Sequence, residues 1–489
     1  MVSVSDETTP SDTNLARETS LGALAKTATL LLAFGGTIIF GRILGPTGYG
    51  GFYLMLSLAQ IAQQGSNGWA IAGTKRFSED ISKEQRREVV GAGLLGALVV
   101  VCIGALVATA FSSRLDSYIG IDGALGPFLA LLVGISFYTT LEHLTAGRGL
   151  VSVTNWGETF QTLFAFPLQL ALVLLGFGVV GMGYGYALGY LLVIPLFLYY
   201  IDILPALPSR AVVRRIWDFA RYSIPSSFLG RIYTRMDVLL IGLLVGQAAA
   251  GYYEAAYRIS IPASFIAAVA APAVMARTSE KSSKGDSVSE DLHNTLSYSA
   301  IVAIPIFFGA LVLSRNLVVT LYGPAYADAA LLLIGLTFYR VIRTQTRILL
   351  EFIQGINRPD FVLKLESVAV VVNIVLGVLL TLEFGPIGVV IATILAESIR
   401  YVGFIVVVRN WVVLRDLLPT QLAQQSLAGA VMALAVGLLV DTFPIHSWWE
   451  LTIVVGVGGL LYGCVLLAIS VQHRQLVREV LSNFDVING

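Results

Sequence analysis

Charge is what this chain has least of. Only 13% of its 489 residues are Asp, Glu, Lys or Arg, while 56% are hydrophobic and mean hydropathy is +0.79. A soluble protein of this length has no means of hydrating such a surface, so the composition implies a polytopic membrane protein. The 31 basic and 31 acidic residues cancel, which leaves no cationic excess to argue for a nucleic-acid partner. Cysteine is scarcer still. Cys102 and Cys464 each lie in an apolar run, are expected as buried thiols, and exclude a disulfide framework or a Cys-rich metal site. Walker, His-Glu-x-x-His and Gly-x-Ser-x-Gly motifs are missing, and nothing calls for a cofactor or a metal. Residues 1–20 are acidic and polar without an apolar core, which predicts a disordered cytoplasmic tail rather than a signal peptide.

What is present is a long series of apolar runs. About 20 such residues cross a hydrocarbon core of roughly 30 Å. That rule places spans at 21–43, 49–72, 89–112, 124–146, 159–180 and 182–203, then at 222–245, 251–275, 297–320, 328–350, 363–383, 387–408, 424–441 and 449–471. The expectation is an all-α protein of about 14 transmembrane helices. Basic residues gather in every second loop: Lys75, Arg76, Lys83, Arg86 and Arg87 after the second span, Arg210, Arg214, Arg215 and Arg221 after the sixth. The alternate loops carry little beyond Arg114 and Arg315. The positive-inside rule then puts both termini in the cytoplasm. Those alternate, outward loops are too short for an outer catalytic domain, so an enzyme is not expected.

The chain also repeats itself. LGPTGYGGFY (44–53) parallels VGQAAAGYY (245–253), and GFGVVGMGYGYALGYLL (176–192) parallels EFGPIGVVIATILAE (383–397). The first pair shares two glycines five residues apart followed by an aromatic pair, and both members of the second carry Gly-x-x-Gly at a turn between spans. The reading is two six-helix lobes, 21–203 and 222–408, a linker at 204–221, two further helices within 409–471 and a tail at 472–489.

Several charges fall inside the spans, where an arginine at mid-depth costs roughly 2.5–3.5 kcal/mol. Arg231 and Arg235, four apart in the seventh span, share one helical face near the midplane. Asp237 points nearly the other way. In the eighth span Arg258 stands at the depth of Asp237, so a clamp across the hairpin is possible, with Glu254 supporting Arg258; a ligand role for Arg258 stays open. Arg340, Arg343 and Arg347 follow at i, i+3 and i+7 in the tenth span, with Glu351 beyond. Arginines unpaired at such depth must face an aqueous cavity or an anion, which singles out Arg231, Arg235, Arg340 and Arg343. Lys26 and Arg42 bracket the first span as weaker candidates or interfacial anchors. Glu142 and His143 lie near the end of the fourth span. Glu397 is the candidate for ion coupling, unless it pairs with Arg400.

LGPTGYGGFYLMLSL, VGQAAAGYYEAAYRI and NIVLGVLLTLEFGPIGVVIATILAES (373–398) together resemble the Wzx-like polysaccharide flippases of the multidrug/oligosaccharidyl-lipid/polysaccharide superfamily, in that family's order. The resemblance implies two six-helix bundles in a V that rock by alternating access and move a lipid-linked oligosaccharide between leaflets of the plasma membrane. A carrier phosphate or pyrophosphate on such a cargo suits a cationic pocket, because guanidinium forks bind phosphate oxygens bidentately. Tyr222, Tyr233, Tyr252, Tyr253, Tyr257 and Tyr339 are candidates for stacking on sugars. Implied partners are membrane lipids and the glycosyltransferases and oligosaccharyltransferase of one pathway. A multidrug exporter of the same superfamily, and a polytopic glycan polymerase or ligase, are the alternatives.

Overall fold

A computed structural model describes residues 12–475 and Arg478, with side chains from 32 onward. Residues 1–11 of the expected N-terminal tail, the Lys26 side chain and, Arg478 apart, the chain beyond 475 lie outside the described residues. The described chain is 88% helix without a strand, and it holds fourteen long helices. α1 (Asp12–Ala62) is broken at Gly45 and restarts at Pro46, the position where a missing N–H costs a helix nothing. α2 (Gln64–Phe77) continues it, and α3 (Lys83–Ala110) opens on a reciprocal capping box between Ser82 and Gln85. The short α4 (Ser112–Ile119), α5 (Leu125–Gly147), α6 (Val151–Leu172) and α7 (Gly178–Ile201) follow.

The second half begins with α8 (Arg210–Leu244) and α9 (Gln247–Ser260), which runs through a tight turn into α10 (Phe265–Lys284). Then come α11 (Ser289–Ser299), α12 (Ala303–Tyr322), α13 (Ala329–Gly355), α14 (Pro359–Phe384) and α15 (Pro386–Val408). The short α16 (Leu414–Leu417), α17 (Thr420–Thr442) and α18 (Trp448–Ile469) complete the chain. Nine segments among the described residues are long and apolar enough to cross a membrane, one of them the α6–α7 pair. α2, α8 and α13 are not among them. α2 is too short, at 14 residues, and α8 and α13 carry the cationic side chains of the site, which lowers their hydropathy.

Two compact units form, Met1–Leu44 with Gly51–Arg235 and Gly45–Gly50 with Met236–Gly489, so the boundary falls inside α8. Each repeats the other's packing. In the first, α6 and α5 lie on α7, and α2 and α3 lie on α5; in the second, α14 and α13 lie on α15, and α10 and α12 lie on α13. α17 and α18 pack on each other and on α12 around Met432, Val436 and Val454. Turn conformations repeat as well. Gly45 and Gly246, Gly120 and Gly323, Gly149 and Asn357, and Gly178 and Gly385 all have positive φ, at separations of 201, 203, 208 and 207 residues. Gly45 (φ 66°, ψ 176°) and Gly246 (φ 127°, ψ 179°) share a backbone shape that side chains resist. The duplication read from the sequence is therefore a duplication of backbone geometry.

Five residues past each of these two turns comes a second glycine, and its purpose is proximity. A Cβ on Gly50 would stand 1.9 Å from the Gln247 carbonyl oxygen, and one on Gly251 would stand 2.1 Å from the Pro46 carbonyl oxygen. The two contacts are related by the internal repeat. Two helix starts cross there backbone on backbone. Outside the packed interior the surface is apolar, with Leu106 72% and Leu460 73% exposed, as expected of helices facing lipid. The cysteines share that surface: Cys102 and Cys464 are exposed rather than buried, because their helix faces look outward from the bundle.

Candidate functional site

In the first unit the site is built on α8 and on the polar stretch joining α1 to α2. Arg231 and Arg235 are both half-buried. Arg235 Nε donates to Gln60 Oε1 at 3.0 Å. From Gln60 a chain of amides runs along the helix: Gln64 Nε2 donates to the Gln60 carbonyl at 2.7 Å, and Asn67 Nδ2 to Gln64 Oε1 at 3.0 Å. Asn67 Oδ1 then meets His143 Nε2 of α5 at 3.0 Å. The Arg231 side chain has no hydrogen-bond or ion-pair partner among the described residues, and its charged or phenolic neighbours are Arg235 and Tyr190. Neither guanidinium meets a carboxylate among the described residues. The polar track Gln60–Gln64–Asn67 was missed in the sequence, although its signal was there: Gln60, Gln63, Gln64, Ser66 and Asn67 crowd one stretch of an expected span.

In the second unit the charges sort into paired and unpaired. Glu254, 1% exposed, binds Arg258 of its own helix at 2.8 Å. Arg400 is wholly buried, and its Nη2 donates to both Glu397 oxygens at 2.7 and 2.5 Å. Arg343 approaches Glu397 at 3.6 Å, and Glu366 approaches Arg400 at 3.6 Å. Arg347 meets Glu351 at 3.3 Å. Arg340 is different. Its Nε donates to Ser260 Oγ at 3.3 Å, and its guanidinium lies 4.7 Å from the Tyr257 ring and 5.7 Å from that of Tyr339. Its Nη2 has no hydrogen-bond partner, and no carboxylate pairs with it among the described residues.

Asp237 departs from expectation. The clamp to Arg258 does not form, because Glu254 one turn away already occupies that guanidinium. Asp237 Oδ2 instead accepts from Tyr253 at 2.8 Å and from Thr393 Oγ1 at 3.0 Å, with Asn373 beside Thr393 at 3.4 Å. It has no cationic partner among the described residues. Glu397, read as the coupling candidate, is instead the acid held by Arg400 and Arg343. Of the candidate residues, Arg231, Arg235 and Arg340 thus lack a carboxylate in contact, and Asp237 lacks a cation, among the described residues.

The remaining candidates fall elsewhere. Arg42 is exposed beside the Gly45 break. Tyr222 is exposed under Arg221, Tyr252 lies against Tyr326, and Tyr253 is buried against Tyr257, while Tyr257 and Tyr339 flank Arg340. A cavity of about 570 Å³ in the second unit, lined by Gln247, Tyr252, Asp328 and Ile387 among others, includes none of the arginines. No cluster of His, Cys, Asp or Glu suited to a metal occurs among the described residues.

Comparison with known proteins follows from this geometry. Residues 39–331 match the family of polysaccharide biosynthesis proteins. A probable low-salt glycan biosynthesis flippase of Haloferax volcanii, Agl15, is 27% identical over 76% of this chain and 78% of its own. The probable flippase AglR of the same organism is 25% identical over 96% of this chain and 99% of its own. Among solved structures, the lipid II flippase MurJ in an inward closed conformation superposes with a TM-score of 0.75 at 17% identity, over 94% of this chain and 99% of that one. An inward-facing multidrug resistance MATE transporter gives 0.64 at 17% identity, over 78% and 95%. At that identity the last two are likenesses of fold.

Proposed function

We propose, because the chain belongs to the polysaccharide biosynthesis protein family, that it is a flippase carrying a lipid-linked oligosaccharide from the cytoplasmic to the outer leaflet. The observation that carries this reading is the set of arginines left without a carboxylate in contact on two long helices, α8 and α13, of a bundle whose other helices are apolar enough to cross a membrane. Among the described residues Arg231 and Arg235 have no carboxylate partner, and Arg340 has only the field of Glu397, which Arg400 and Arg343 already hold; a half-buried guanidinium so placed is stable only against water or an anion. A phosphate or pyrophosphate on an isoprenoid carrier supplies that anion and takes guanidinium forks bidentately. The Gln60–Gln64–Asn67 track offers a polar wall for the glycan, while the carrier's hydrocarbon stays in lipid. The names of the two relatives, a glycan biosynthesis flippase and a flippase, agree with this cargo.

Both termini lie in the cytoplasm, the membrane is the plasma membrane, and the lobes 21–203 and 222–408 alternate access by rocking. The glycan serves cell-surface assembly or protein N-glycosylation, supplied and consumed by glycosyltransferases and an oligosaccharyltransferase. No catalytic step is assigned to the chain. Coupling falls to Asp237 rather than Glu397, since Asp237 is a carboxylate that a proton or cation can neutralise without breaking an existing ion pair. Multidrug export, the rival reading, wants carboxylates rather than arginines in the cavity. The test is an export assay in a strain lacking the gene. Arg235→Ala and Arg340→Ala are expected to reach the membrane at normal levels while the lipid-linked glycan accumulates on the cytoplasmic side. Wild-type export by both would remove the anion site.

A further inference from the structure

α8 is too long for the bilayer. Its 35 residues span about 52 Å at ~1.5 Å each, against a hydrocarbon core of roughly 30 Å, so several turns lie outside. Its first three turns are amphipathic. Val212, Ile216 and Ala220 are buried in the core of the first unit with Val89, Val90 and Phe197. The opposite stripe, at i, i+4, i+7 and i+11, is Arg210, Arg214, Trp217 and Arg221, and all four are exposed. Trp217 lies 6.5 Å from Trp69, the arrangement of an aromatic belt at a membrane boundary.

The segment leading into α8 adds to this surface. Its backbone is pinned to the start of α3: Ala206 N donates to the Arg87 carbonyl at 3.0 Å, Arg87 Nε to the Leu204 carbonyl at 3.2 Å, and Ser209 N to Glu88 at 2.9 Å. Gly91 permits the approach, since a Cβ there would stand 1.9 Å from the Ala206 carbonyl oxygen. Held this way, Leu204 and Leu207 are turned outward, 78% and 87% exposed. Of the basic residues here, Arg215 and Arg76 are taken by Glu79, both at 2.7 Å. Arg210, Arg214 and Arg221 have no ion pair among the described residues, and Asp218 is the one exposed acid between them.

We propose that residues 202–222 form an interfacial strap that binds anionic phospholipid headgroups of the adjoining leaflet. Leu204, Leu207 and Trp217 enter the boundary between headgroups and chains, and Arg210, Arg214 and Arg221 take the phosphates. Charge complementarity selects this occupant: the face is cationic and continuous with lipid-facing apolar surface, whereas a soluble protein partner would leave Leu207 and Trp217 against lipid. A basic residue near an anionic membrane surface contributes about fivefold in affinity, weakening with salt. The inference does not depend on what the protein transports.

The test is photo-crosslinking of the full-length protein in nanodiscs containing photoactivatable phosphatidylglycerol or phosphatidylcholine, with adducts mapped by mass spectrometry. Adducts on 202–222 are expected at least fivefold more often with phosphatidylglycerol, less so as salt is raised. The Arg210→Gln/Arg214→Gln/Arg221→Gln variant is expected to lose the preference, and the corresponding lysine variant to keep it. Equal labelling by the two lipids in the wild type, a salt-independent preference, or an undiminished preference in the glutamine variant would overturn the strap. The wild-type measurements stand even if the glutamine variant fails to fold.

Discussion

Adding one methyl group at Gly251 tests the crossing that organises the second unit. In Gly251→Ala the new Cβ would lie 2.1 Å from the Pro46 carbonyl oxygen, 2.9 Å from its carbon and 3.2 Å from the Gly50 nitrogen. A relaxed carbon-to-oxygen contact is about 3.3 Å, so the segments must separate by more than about 1 Å. The obstacle is backbone on both sides, and no side chain can rotate away. Overpacking of a fitted contact costs about 1–3 kcal/mol, and a clash with no soft partner belongs at the upper end, about 3 kcal/mol. At ~2 °C per kcal/mol for a large chain, the midpoint of thermal unfolding in detergent is expected to fall by about 6 °C. Gly50→Ala opens the same crossing from the other side, 1.9 Å from the Gln247 oxygen. Because one separation relieves both clashes, the double variant should cost far less than the sum of the singles. Gly456→Ala, at a site with nothing within 4 Å of the added atom, is the control. An unshifted midpoint for Gly251→Ala, or strict additivity with Gly50→Ala, would refute the reasoning.

Other expectations follow from the ion pairs and the free charges. Glu254→Gln removes the carboxylate that Arg258 meets at 2.8 Å and is expected to destabilise by about 1–3 kcal/mol, less than a fully buried pair because Arg258 is partly exposed; an unchanged midpoint would show the pair to be inert. Arg400→Met leaves a buried carboxylate without its direct ion pair, held only by the Thr346 hydroxyl and the more distant Arg343 and Arg340, so a loss of similar size is expected, while Arg400→Met/Glu397→Leu should recover much of it. Asp237→Asn preserves the partners Tyr253 and Thr393 and should leave folding intact while removing the dependence of glycan export on an ion gradient. Export by that variant with gradient dependence retained would count against the coupling role. Gln60→Leu, which deletes the acceptor of the Arg235 hydrogen bond, is expected to reduce export without altering membrane levels; normal export would dissociate that contact from transport.

Some of this was legible from residues alone. Span count, helical class and duplication follow from apolar length and from Gly-aromatic turns, which are local properties of chain and solvent. The two glycines of each motif turned out to have separate reasons: Gly45 and Gly246 accept a positive φ, whereas Gly50 and Gly251 let two backbones touch. The arginines could be placed at depth because helical rise is regular. Their partners could not, since a partner is chosen by which helix faces which. Asp237 stands level with Arg258 in a linear reading, yet Glu254 is nearer in three dimensions and Thr393 arrives from 156 residues away. The pair of Glu397 with Arg400 was legible from their i, i+3 spacing, whereas the approach of Arg343 from another helix was not.

By itself, then, the sequence determined a polytopic helical protein with an internal repeat and arginines set into its long helices, because hydropathy, periodicity and turn chemistry act over a few residues at a time. Only the tertiary structure decided which of those arginines remain uncompensated, because neutralising a charge is a matter of angstroms between helices that are distant in the chain.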